Sequence, residues 1–513
     1  VSNTLTLRRA VLLMICVDAL ALWPFTYWHY FGHGDLRAMQ MGLYAPDRAS
    51  LPIYGRSWSF AWYWLATVLR SVFSLSADAF PGVINTLAVL AATAGDAFLL
   101  ILLGLALPVP AALLATVLWR FTPEVWEVNT YAHPWTLAQP IFLGAMLLVV
   151  GRPRSRAATA LAGVLFFLSF GVRADVLLFV PLALALAYLR RPDWLRPLAW
   201  SLGGGTAAFL VSQQIISGSQ LARAAAGASG GSIDLLKWAI NLAVFGYGAG
   251  LLTVAATLAG VAYALRVPTL RRAVLVVSIA LLPTVALWLP HGGAGRHFST
   301  VYLAMVVLVA LGATTMFRTT TWRTAVALFL VLGNAAAAEV VYAAATRRPS
   351  GSIQIGEARR VLERVPFGNI WSNHYAETRL NGLESAFAEY AVRCAEQAPI
   401  FVAQESPYKL VMLAGLRLSA PRLESLDLYK VDTGAHQLWI ADIPEDGSAA
   451  WWQRTEARAN ALGLPVVILG PRIPGWLGYA WRQQHPELAS PLAETIASIQ
   501  GRACPSPASG VHP

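Results

Sequence analysis

Four short stretches of the 513-residue chain bring together side chains that could move protons or hold an anion. The first, HYFGHGDLRAMQMGLY, groups His33, Asp35 and Arg37. A carboxylate such as Asp35 beside a cavity at membrane level can act as a general base, taking the proton from a hydroxyl as it attacks an activated carbon. The same position also suits an ordinary solvated loop acid. The second stretch, RFTPEVWEVNTYAHPW, carries Glu124, Glu127, Tyr131, His133 and Trp135. These groups could bind sugar hydroxyls or a second ionic group, and equally could form an interfacial aromatic belt. The third, SFGVRADVLLF, sets Arg173 and Asp175 between two apolar runs, where ionisable groups are functional candidates by default. The fourth, PHGGAGRHFSTVYLAMVVL, opens an apolar run with Arg296 and His297 after a glycine-rich turn. A guanidinium there can hold a lipid phosphate through charge-assisted bonds, or snorkel at a helix end.

The elements that must position these residues are apolar. Of the whole chain, 57% is hydrophobic and 13% charged, against about 25% charged in an average soluble domain. Runs long enough to cross a bilayer need about 20 apolar residues. Spans are expected near 10 to 31, 82 to 106, 110 to 122, 135 to 151, 157 to 172, 176 to 189, 198 to 216, 238 to 265, 273 to 289, 298 to 316 and 324 to 344. Arginine clusters fall on alternate connections: Arg152, Arg154 and Arg156; Arg190, Arg191 and Arg196; Arg266, Arg271 and Arg272; Arg318 and Arg323. By the positive-inside rule these connections are cytoplasmic, and all four candidate stretches lie on the other side. Residues 57 to 74 are aromatic with an arginine near each end, and counting them as a span would invert every later loop. They are read as an interfacial amphipathic helix. Arg8 and Arg9 precede a first run with no small-residue cleavage site, which reads as an uncleaved helix.

From about residue 348 the periodicity changes. Residues 354 to 365 and 381 to 396 read as amphipathic helices; IFVA at 400, LDLY at 426, QLWIAD at 437 and PVVILG at 465 read as short strands. The fold class expected is thus a polytopic α-helical membrane protein of about eleven transmembrane helices, residues 1–345, followed by an extracytoplasmic soluble α/β domain, residues 346–513. Residues 505 to 513 read as a disordered tail. Cys394 and Cys504 can pair if that domain faces an oxidising compartment.

The net charge of +11 lies in short loops between apolar runs, so no nucleic-acid partner is expected. Lysine occurs only at Lys237, Lys409 and Lys430, making the basic charge almost wholly guanidinium, suited to bidentate phosphate contacts. No GxxxxGK[ST], HExxH, GxSxG or CxxC motif is present. The Gly203, Gly204 and Gly205 run lies in an apolar segment and reads as close helix packing.

The order of these features resembles the GT-C class of polyprenyl-phosphate-sugar-dependent glycosyltransferases, related to protein mannosyltransferases and aminoarabinose transferases. GHGDLRAMQMG around Asp35 resembles the long external first loop with its catalytic Asp, Trp58 to Arg70 the interfacial helix, and FTPEVWEVNTYAHPW the external junction of the third and fourth spans. Arg173, Ala174 and Asp175 resemble an R-P-[DE] element without its proline; Arg296, His297 and Phe298 resemble R-Y-x-x-P with histidine in place of tyrosine. Many relatives carry a second acid beside the loop Asp, where this chain has Leu36.

The resemblance implies inverting sugar transfer from a polyprenyl-phosphate donor to a lipid, glycan or protein hydroxyl at the inner (plasma) membrane. Asp35 would be the catalytic base, and Arg37, Glu124, Glu127, His133, Arg173, Asp175, Arg296 and His297 would bind substrate. No metal ligands and no cofactor are assigned, and a divalent metal stays open. The competing readings are a lipid or polysaccharide transporter, an O-antigen-ligase or polymerase-like enzyme, and a membrane-anchored interaction protein. Against the first stands the lack of a visible inverted repeat, and the intramembrane acids Asp18 and Asp96 could both be polar contacts between helices.

Overall fold

The structure is a computed structural model. It describes residues 6–23, 43–44, 60–77, 79–129, 132–217, 235–291, 295–317, 319–346, 352–355, 358–361, 385–404, 408–419, 421–425, 428–442, 449–468, 497 and 499–504. The chain divides into two compact units, one carrying the helices from Leu7 to Val341 and the other the C-terminal sheet and its helices.

In the first unit the apolar runs form helices whose ends follow local chemistry. Helix α1 is Leu7–Ala21, capped by the Thr6 hydroxyl. Helix α2, Phe60–Val72, has 13 residues, about 20 Å of rise, too short for a hydrocarbon core of about 30 Å. Helix α3, Phe80–Ala106, ends before Pro108, and α4, Val109–Arg120, begins just after it. Three helices follow: the short α5, Pro123–Asn129; α6, Pro134–Gly151, capped by the His133 ring; and α7, Arg156–Val172, capped by Ser155. A 3-10 turn, Ala174–Leu178, leads into α8, Phe179–Arg190, and α9 is Pro192–Ser217.

The expected span 238 to 265 is corrected: it is two helices, α10, Leu235–Ala249, and α11, Leu251–Arg266. Between them Gly250 has φ +85°, a left-handed conformation open to glycine, and a Cβ there would fall 2.5 Å from the Asn334 amide. Asn334 accepts from the Leu252 amide at 2.8 Å and donates to the Thr253 hydroxyl at 2.9 Å, fixing the new helix start. Helix α12, Pro268–His291, a second 3-10 turn, Gly295–Phe298, and helices α13, Ser299–Met316, and α14, Thr320–Thr346, complete the unit.

Three stretches, Phe80–Ala106, Pro134–Gly151 and Leu270–Leu289, are long and apolar enough to cross a membrane, and five shorter stretches are apolar, among the described residues. The interior is aromatic and small: Phe142 of α6 packs at a tilt on Phe166 and Phe170 of α7, and Gly95 lets α3 approach Pro140 of α6. Outward-facing side chains are apolar too, with Leu12, Leu20, Ile215, Ile279, Phe329 and Leu332 exposed, as a hydrocarbon solvent requires.

In the second unit, a helix over 385–397 (α15) precedes a sheet of order β4-β5-β6-β3-β7. Strand β3, Ile400–Gln404, pairs in parallel with β6, Gln437–Asp442, and β7, Val466–Ile468. The antiparallel edge is β4, Arg422–Ser425, and β5, Leu428–Asp432. Helices α16, Tyr408–Arg417, and α17, Ala449–Ala461, connect strands; Ala459 joins Phe401, Leu428 and Trp439 in the core. A disulfide joins Cys394 of α15 to Cys504, and Arg393 donates to the Gln500 and Arg502 carbonyls.

The helix expected over 354 to 365 is corrected over its first part. Residues Ser352–Ile355 (β1) and Ala358–Val361 (β2) form an antiparallel hairpin with Ile355 opposite Ala358. Only Gly356 and Glu357 separate them in sequence, a spacing that favours a tight turn.

Candidate functional site

Three of the four chemistry-bearing stretches meet at one end of the helical unit. Helix α5 starts at Pro123, so Glu124 lies in its first turn, and α5 packs against α10 and against the Gly295–Phe298 turn. Glu124 is buried; its Cβ and the Tyr302 hydroxyl of α13 both crowd Gly248 of α10, where a Cβ would lie 2.4 Å from that oxygen. Glycine is thus required at the junction of the three elements.

The same end gathers further ties. Trp126 donates to the Ala21 carbonyl at 2.9 Å, and Asn85 of α3 accepts from the Ala132 amide at 2.8 Å. His133 is fully buried and accepts from the Trp135 amide through Nδ1 at 3.1 Å, so that ring nitrogen is committed to capping α6. This gives His133 a structural task the sequence did not show.

The centre of the site is a charged cluster. Arg173 closes α7 and donates through Nε to Asp175 Oδ1 at 3.1 Å. The other Asp175 oxygen meets His297 Nδ1, also at 3.1 Å, from 122 residues away. The His297 ring stacks on Trp288 of α12 with centroids 3.9 Å apart. Side-chain exposures are 17% for Arg173, 9% for Asp175 and 10% for His297, so the cluster is sheltered but reachable. Burial alone would raise the Asp175 pKa, but Arg173 and His297 outweigh it and hold the carboxyl well below the usual carboxylate range. Asp175 therefore stays ionised near neutrality and is a poor proton acceptor. Its chemistry is to hold a guanidinium on one oxygen and an imidazole on the other.

The backbone of Arg296 lies in the 3-10 turn beside His297, and that of Glu127 in α5. Their side chains, together with Asp35 and Arg37, lie outside what is described.

A second cluster joins Asp18 and Asp96, the two acids that the sequence offers as contacts between helices, through an arginine that the sequence did not single out. Arg120, the first residue of the second stretch, donates through Nε to Asp18 of α1 at 3.0 Å and Asp96 of α3 at 2.7 Å. All three side chains have 0% exposure. Among the described residues no group of three metal-ligating side chains is present.

No protein-family model matches this sequence, and no curated protein matches it either. Among solved structures, an oligosaccharyltransferase of Archaeoglobus fulgidus, tethered through a disulfide to an acceptor peptide containing an NVT sequon, is similar with a TM-score of 0.40 and 13% identity. The match covers 80% of this chain and 63% of that one, so this chain spans less than two thirds of that enzyme's length.

Proposed function

We propose that this protein is a membrane glycosyltransferase that moves a sugar from a polyprenyl-phosphate donor to an acceptor hydroxyl, with inversion, on the extracytoplasmic face. The observation that carries the reading is the convergence, at one bundle end, of Glu124, His133 and the Arg173, Asp175 and His297 cluster. The arginine-rich turns, such as that holding Arg272 on the Tyr188 hydroxyl at 2.6 Å, belong to the other helix ends.

In the proposed reaction Asp35 takes the acceptor hydroxyl's proton while the oxygen forms a bond to the anomeric carbon. The bond from that carbon to the lipid phosphate breaks, and the electron pair leaves with the phosphate. Negative charge then grows on the phosphate, where Arg173 and Arg296 stabilise it in a partly dehydrated setting. Asp175 positions Arg173 and His297, while Glu124, Glu127 and Arg37 face substrate hydroxyls or ionic groups. The C-terminal unit, taken as residues 346–513, contributes to acceptor choice. The Cys394–Cys504 disulfide supports its placement outside the cytoplasm of the cell's plasma membrane.

The test is donor consumption by the purified full chain across a panel of polyprenyl-phosphate sugars, with Asp35→Asn alongside. A loss of about 10²-fold or more in the variant is expected for removal of a general base. Unchanged turnover would remove Asp35 from the mechanism. No consumption of any donor, with lipid movement between leaflets instead, would favour a transporter.

A further inference from the structure

At the arginine-rich end of the helical unit, α7 and α9 enclose a groove of about 810 Å³. The two helices run in parallel: Gly163 abuts the Ser201 carbonyl, and three to four residues further on Gly205 abuts Phe166 and Phe167. Both therefore begin at the same end, and Arg154, Arg156 and Arg196 all line one mouth of the groove.

Below the arginines the wall turns apolar, with Val164, Phe167, Trp200 and Ala208 along its length. Of the glycine run, Gly205 does the close packing expected, but Gly204 lines the groove and a Cβ there would meet nothing within 4 Å. The groove is therefore wider than helix packing requires. No acid lines it, and none of the three arginines has an ion pair among the described residues.

Two dimensions select an occupant. From Arg156 to Phe167, and from Arg196 to Ala208, the helices rise about 16 to 18 Å, close to the hydrocarbon depth of one leaflet of a bilayer about 30 Å thick. A positive mouth above an apolar slot one leaflet deep matches an anionic headgroup joined to an acyl chain. We propose that this groove binds a single anionic glycerophospholipid, phosphate among Arg154, Arg156 and Arg196 and one acyl chain against Trp200 and Phe167. The site is at the opposite end of α7 from Arg173 and does not depend on the glycosyltransferase reading.

The experiment is native mass spectrometry of the full chain, delipidated in detergent and titrated with phosphatidylglycerol or phosphatidylcholine of matched chains. The expected result is one tightly held phosphatidylglycerol, at least about tenfold preferred, with inorganic phosphate unable to compete. Combined Arg154→Gln, Arg156→Gln and Arg196→Gln substitution abolishes the preference. Gly204→Leu, which enters open space and leaves the fold intact by thermal midpoint, abolishes retention of either lipid. Arg266→Gln with Arg271→Gln, which removes two charges outside the groove, leaves both unchanged. Equal binding of the two lipids, preference surviving the triple substitution, or equal loss in the Arg266 and Arg271 control would each overturn the proposal.

Discussion

The helical unit holds two three-membered charged clusters, one with two carboxylates about a guanidinium and one with a carboxylate between a guanidinium and an imidazole, and they differ in access. In one, Arg120 bridges Asp18 and Asp96 from three different helices at zero exposure. In the other, Asp175 bridges Arg173 and His297 at the ends of helices, with each side chain partly reachable. The first closes on itself and ties α1, α3 and α4 together; the second links a guanidinium and an imidazole through one carboxylate, with all three side chains partly exposed. Ionisable residues in an apolar run thus divide by sealing, and a sealed cluster offers no path to a transported solute. That contrast favours the open cluster as the reacting site.

Breaking the sealed cluster should give the largest effect. Arg120→Leu leaves two carboxylates buried without their cation and is expected to cost about 3–5 kcal/mol, seen as a collapse of the thermal midpoint in detergent. A shift of only a degree or two would mean that the cluster is hydrated and the contrast in sealing is wrong.

The disulfide comes next. Cys394→Ser opens a link across 110 residues, for which on the order of 2–5 kcal/mol is expected, confined to unfolding of the C-terminal unit. A uniform effect on both units would show that they unfold as one. Gly250→Ala should cost about 1–3 kcal/mol, because it strains a left-handed residue and displaces Asn334 from the α11 start.

How much of this was visible in the sequence depends on the range of the signal. Hydropathy located the helices of the membrane unit, and QLWIAD alone located β6 because its alternation is local. The break at Gly250 was hidden, since apolar composition continues on both sides and only φ reveals the turn. Residues 352–361 are too short for helical and strand periods to be told apart. Arg173, Asp175 and His297 were each legible as polar groups at span boundaries, but their bonding was not. Arg120 was missed altogether, because its partners lie 24 and 102 positions away and no periodic pattern connects them.

The smallest expected effect is on pH. Asp175 has its folded pKa depressed, so its stabilising contribution is complete above the unfolded value of about 4 and fades only as pH falls through the lower folded value. Between pH 8 and 5 the penalty of Asp175→Asn in thermal midpoint should therefore persist, at about 1 kcal/mol or more, because the carboxylate stays ionised throughout. A difference that disappears within that window would show that Asp175 titrates there and is no fixed anion.

The most direct measurement is release of labelled sugar from a polyprenyl-phosphate donor by wild type, Arg173→Gln and Arg272→Gln, each matched for thermal midpoint. Loss of about 10²-fold or more in Arg173→Gln alone is the expected result, since it removes a cation from where phosphate charge develops. Equal turnover in Arg173→Gln and wild type would contradict the placement of the reaction at the open cluster.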